Sequence, residues 1–83
     1  MASWMIPPTA QAQIDAICAR EEVRLADLVG SHLAEHHLVA ARHRIWEALR
    51  GERDEKGRPV YTVARIARWF GVAHSAVSQA LRP

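Results

Sequence analysis

His74, Ser75, Ser78 and Gln79 fall within six residues near the C-terminal end of the chain. Together they offer an imidazole, two hydroxyls and a carboxamide, with no carboxylate among them. Such groups suit the reading of base edges. A Gln amide matches the donor–acceptor pair that adenine presents in the major groove, and a His ring nitrogen or a Ser hydroxyl bonds either base type. Ala73 and Ala76 beside them are small enough for contact with a thymine methyl, or for close approach. Arg65, Arg68 and Arg82 surround the group and suit phosphate oxygens, which supply affinity that weakens with salt.

Other residues suggest other chemistry. "HLAEH", His32 to His36, has the H-x-x-E-H spacing of one zinc-protease class. On a helix the two histidines would share a metal, with Glu35 as base. A catalytic zinc also needs a third protein ligand and a cleft. The expectation is therefore no metal, with His36, His37 and His43 as surface residues open to weak, pH-dependent phosphate contacts. Cys18 lies on an apolar stripe and reads as a small core residue. No Ser-His-Asp set, carboxylate pair or glycine-rich phosphate loop stands out, so neither an enzyme nor a cofactor is expected.

The chain has 83 residues, the size of one domain with a modest core. Its single cysteine excludes an internal disulfide and a cysteine-rich zinc site. No apolar run approaches the length of a membrane span, and "MASWMIPPT" lacks a basic leader, so the expected setting is cytoplasmic, on the nucleoid. The net charge of +2 is unevenly spread. Residues 1–55 carry six Lys/Arg against nine Asp/Glu, a net −3. Residues 56–83 carry Lys56, Arg58, Arg65, Arg68 and Arg82 and no acid, a net +5. A basic, acid-free third suits an anionic polymer; a solvated face is the plainer alternative.

Residues 1–8 are expected to be a flexible tail, and residues 9–83 a single helical domain. Pro7-Pro8 stops any earlier helix and Thr9 is a candidate cap for a helix over 10–20, with Ala10, Ile14, Ile17 and Cys18 inward. "VRLADLVG" reads as a short helix with Leu25, Leu28 and Val29 inward. "SHLAEHHLVA" reads either as a loop or as early turns of the next helix. Leu38, Ala41, Ile45, Ala48 and Leu49 keep a helical period up to Gly51. "GERDEKGRPVY" reads as a polar surface loop. Thr62 is a good cap for a helix through Trp69 or Phe70, with Val63, Ile66, Ala67 and Phe70 inward. A last helix runs from about His74 to Leu81. No strand pattern or repeat is visible. The fold class expected is all-α, with about five helices.

The break inside "IARWFGVAHSAVSQAL" is the most informative feature. A helix-turn-helix needs a turn residue that accepts positive φ, a small side chain where the helices touch, and apolar residues on both sides of the turn. Gly71, Ala67, Phe70 and Val72 meet these demands, and Val77, Ala80 and Leu81 give the second helix an inner face. The motif is placed at about residues 62–82. Its second helix would enter the major groove with Ala73, His74 and Ser75 leading and Ser78 and Gln79 one turn on. Thr62 and the free N–H groups behind it offer a further phosphate contact.

These residues resemble the C-terminal DNA-binding domain of the bacterial replication initiator DnaA. "FGVAHSAV" is similar to that family's recognition-helix signature, close to F-G-G-R-D-H-T/S-T-V, and one residue shorter before the His. "IDAICAREEVRLADLVG" matches the family's opening helix and "AARHRIWEAL" its long helix. The likeness spans roughly residues 12–82 and implies binding of double-stranded DNA by a module in a bacterial or phage regulator of transcription or replication. It implies base contacts from His74 and Ser75, and phosphate contacts from Thr62 and Arg42. The chain differs where the family has Asp (Ala73) and a second Thr (Ala76), and "GSHLAEHHLVA" lacks the Lys and Arg of the family's basic loop. A protein-docking module on the same scaffold is the rival expectation, with a partner held by the tail around Trp4 or by an exposed tryptophan; Trp46 and Trp69 are expected to be partly buried, with Trp69 able to face a partner or the DNA backbone. Monomer and dimer both remain open.

Overall fold

The computed structural model describes residues 6–29 and 36–82, and of His36 and His37 the backbone alone. Five helices account for most of the described chain: α1 (Pro8–Glu21), α2 (Leu25–Leu28), α3 (His36–Gly51), α4 (Val63–Phe70) and α5 (His74–Ala80). The fold is all-α. Among the described residues no strand forms, beyond an isolated antiparallel bridge between Arg53 and Pro59.

The core is built from the helical stripes. Ala10, Ile14, Ile17 and Cys18 of α1 face Leu38, Ala41, Ile45 and Leu49 of α3, all of them buried. Leu28 of α2 closes one end, and Ile66, Ala67 and Phe70 of α4 with Val77 of α5 close the other. Trp46 meets Phe70 edge-to-face, with ring centres 5.8 Å apart at 89°. Burying side chains of this size stabilises the fold by about 1.5–3 kcal/mol each.

α1 begins at Pro8, two residues before the expected start at Ala10. Pro7 takes the cap position with no side-chain bond. Thr9 therefore does not cap α1; its hydroxyl bonds the Tyr61 hydroxyl at 2.7 Å. The expected tail is docked at its inner end, where Ile6 packs against the core; residues 1–5, including Trp4, lie outside the described residues. α1 stops at Glu22 in the left-handed conformation, φ 57°. The Glu22 N–H donates to Ala19 C=O and the Val23 N–H to Cys18 C=O, which satisfies two carbonyls left open by the helix end. Val29, expected to face inward, is 40% exposed because α2 ends at Leu28.

The polar stretch after α3 is more ordered than a surface loop. Asp54 N–H donates to Arg58 C=O at 2.9 Å and Val60 N–H to Glu52 C=O at 3.0 Å, so the chain doubles back as a tight hairpin. Asp54 Oδ1 accepts the Lys56 and Arg58 N–H groups inside the turn, and Gly57 sits at φ 78°. The pairing is too short to show as a period of two in the sequence. The hairpin is tied back at both ends: Gln13 donates to the Glu52 carboxylate, and Arg50 donates to Tyr61 C=O at 2.9 Å.

Candidate nucleic-acid interface

α4 starts where its cap dictates. Thr62 Oγ1 accepts the Arg65 N–H at 3.2 Å, and the helix geometry gives the Val63 and Ala64 N–H groups no carbonyl within α4. Tyr61 precedes the cap, and a bulky residue there folds back over its own helix. Its ring meets Trp69 edge-to-face at 5.5 Å. The Arg65 guanidinium lies over both rings, 5.3 Å from the Trp69 centre and 5.9 Å from the Tyr61 centre. The Arg65 charge is therefore held against a rigid aromatic support at the surface.

α4 ends on Gly71 at φ 65°. Its N–H donates to Arg68 C=O, and the Val72 N–H donates to Ala67 C=O at 3.0 Å. This paired closure reverses the chain within residues 71–73 and lets α5 pack on α4 and α3. Ala67 is 4% exposed at that junction. Ala73 is the cap residue of α5 and makes no capping bond.

Val77 is buried in α5, and Ala80 and Leu81 lean on the core. At 100° per residue, Ser75, Gln79 and Arg82 share the opposite face, and all three are exposed. Arg82 lies just past the helix, yet its N–H donates to Gln79 C=O, which keeps the chain turning. His74, Ala73 and Ala76 are also exposed, flanking that face. On α4, Arg65 and Arg68 are exposed and lie three residues apart, on neighbouring turns of the outer face.

Two of the residues expected at the interface lie off this exposed face. Arg42 is 8% exposed on the inner half of α3, with its guanidinium 5.7 Å from the centre of the Trp46 ring. Ser78 is half-buried and turned sideways. It lines a concavity of about 460 Å³ with Glu47, Arg50, Gly51, Arg53, Val63 and Leu81. Trp46 and Trp69, expected to be partly buried, are 2% and 7% exposed and present little surface to a partner. Among the described residues no cluster of three His, Cys, Asp or Glu side chains can hold a metal ion. The "HLAEH" stretch lies outside the described residues apart from the His36 backbone.

Tyr61 is the residue that sequence reasoning missed. It is 3% exposed, bonded to Thr9, and supports Arg65. The signal was present: an aromatic residue immediately before a strong cap. Cys18 is buried in α1, where burial and, secondarily, the Asp15 charge push its thiol pKa up. No described helix is long and apolar enough to cross a membrane.

No protein-family model matches the chain, and no curated protein or solved structure does either.

Proposed function

We propose that the chain is a sequence-reading, double-stranded DNA-binding module. In this reading α4, the Gly71 turn and α5 act as a helix-turn-helix, and α5 presents its outer face to the major groove. The observation that carries the proposal is the make-up of that outer surface. Arg65, Arg68, His74, Ser75, Gln79 and Arg82 are all exposed, and no carboxylate side chain follows Glu55. Cations on α4 and past the end of α5 would meet phosphates on either side of the groove, while His74, Ser75 and Gln79 would read bases. Thr62 would add a hydroxyl to a phosphate. The likeness to the replication initiator's DNA-binding domain points the same way, toward control of transcription or replication.

The rival is a protein-docking module. Burial of Trp46 and Trp69 takes away two of its three anchors. The exposed basic face then has to be its docking surface, or Trp4 its anchor.

Binding of wild-type protein to labelled duplex DNA at 50 and 200 mM salt tests the proposal, alongside Arg68→Ala and His74→Ala. Both positions are exposed, so both variants are expected to fold. Arg68→Ala should weaken binding across all sequences and flatten the salt slope by about 1. His74→Ala should reduce discrimination between sequences. Duplex binding that neither change affects would contradict this use of the surface.

A further inference from the structure

Of the residues expected to read bases, the concavity beside α5 takes in Ser78 alone. Its walls come from the end of α3 (Glu47, Arg50, Gly51), the root of the hairpin (Arg53), the start of α4 (Val63) and the side of α5 (Ser78, Leu81). The sequence keeps these segments far apart, and the fold brings two arginines and a serine hydroxyl to one open groove. Arg50 is partly committed, since one guanidinium nitrogen donates to Tyr61 C=O at 2.9 Å. That bond fixes the head group and leaves other N–H groups to donate. Arg53 is exposed and forms none of the ion pairs found among the described residues. The hairpin's own acids are partly engaged: Glu52 accepts from Gln13, and Asp54 accepts two turn N–H groups and pairs with Arg58 at 3.5 Å. The opposing charge in the groove is Glu47, which is exposed.

We propose that this groove receives one sugar–phosphate strand of the duplex whose major groove α5 reads. The inference rests on the DNA-binding reading above and extends it to a second surface. Arg53 and Arg50 donate to phosphate oxygens, and the Ser78 hydroxyl donates from the opposite wall, making Ser78 a backbone contact instead of a base contact. A phosphodiester strand fits the charge of the two arginines, the open polar shape, and continuity with α5, which forms one wall. The hairpin thus supplies cations that the stretch 30–40 lacks. Glu47 repels the same strand and holds affinity down.

Salt titrations of the wild type, Arg53→Gln and Glu47→Gln against one duplex test this, with thermal melts as a folding control. Arg53→Gln should weaken binding about two- to fivefold at low salt and flatten the salt slope by about 1. Glu47→Gln should strengthen binding about two- to fivefold at low salt. Neither change should alter which sequence is preferred. Replacing single phosphates by neutral methylphosphonates should reveal a linkage whose effect disappears in Arg53→Gln. Wild-type binding with both variants unchanged overturns the groove and leaves the α5 reading standing. A wild type that binds no duplex even at low salt overturns both.

Discussion

The Arg65 guanidinium stacks over the Trp69 ring at 5.3 Å, one turn along the same helix. The aromatic face is buried on its far side, so the charge is held at the protein surface without a carboxylate partner among the described residues. An ammonium on a flexible stem does not stack in this way. Arg65→Lys should therefore weaken duplex binding about two- to fivefold while keeping the salt slope, because the charge remains and its positioning is lost. Arg65→Ala should lower the slope as well. Equal binding by Lys and Arg would show that the stack plays no part.

The two left-handed helix ends carry residues of opposite suitability. Among the described residues, Glu22 is the one non-glycine at positive φ, whereas Gly71 has no side chain to strain. Glu22→Gly should raise stability by about 0.5–1 kcal/mol, and Gly71→Ala should lower it by about 1–2 kcal/mol. Chemical denaturation reads both, with opposite signs expected.

The α5 cap is unfilled, since Ala73 has no side-chain acceptor for the first turn. Ala73→Ser should stabilise the fold by about 1 kcal/mol, a rise in melting temperature of about 4–8 °C for a domain of this size. Thr62→Ala at the filled α4 cap should remove a similar amount. A melting temperature unmoved by both changes would contradict the capping account.

Cys18 is buried and its thiol pKa is raised, by burial first and by Asp15 second. The thiol should resist iodoacetamide in folded protein at neutral pH and react at the free-thiol rate in urea. The raised pKa means that the folded state keeps its proton where the unfolded state loses it. This group's contribution to stability is therefore complete below the usual thiol pKa and falls as pH rises past it. Cys18→Ser should flatten the alkaline decline, a difference that denaturation at pH 7 and pH 10 would show.

Much of this fold was legible because helical stripes are dense in the sequence. Ile14, Ile17, Ile45, Leu49, Ile66 and Phe70 fell inward as their period required, and Gly71 marked the turn. The failures share a cause: contacts set by distant partners. Thr9 had the right residue type for a cap, but Pro7 took that place and Tyr61 claimed the hydroxyl. The hairpin after α3 was hidden because two backbone bonds across a turn leave no periodicity. In the candidate interface, the outer face of α5 followed from one helix's phase, whereas the surroundings of Ser78 come from α3 and the hairpin and have no local signal.

The central claim is that the face carrying His74, Ser75 and Gln79 reads DNA sequence. The most direct measurement is selection from a pool of random duplexes at low and moderate salt, followed by sequencing of the retained fraction. The account predicts an enriched motif and affinity that falls steeply with salt. Absence of retention at low salt, or retention without any enriched sequence, would contradict it.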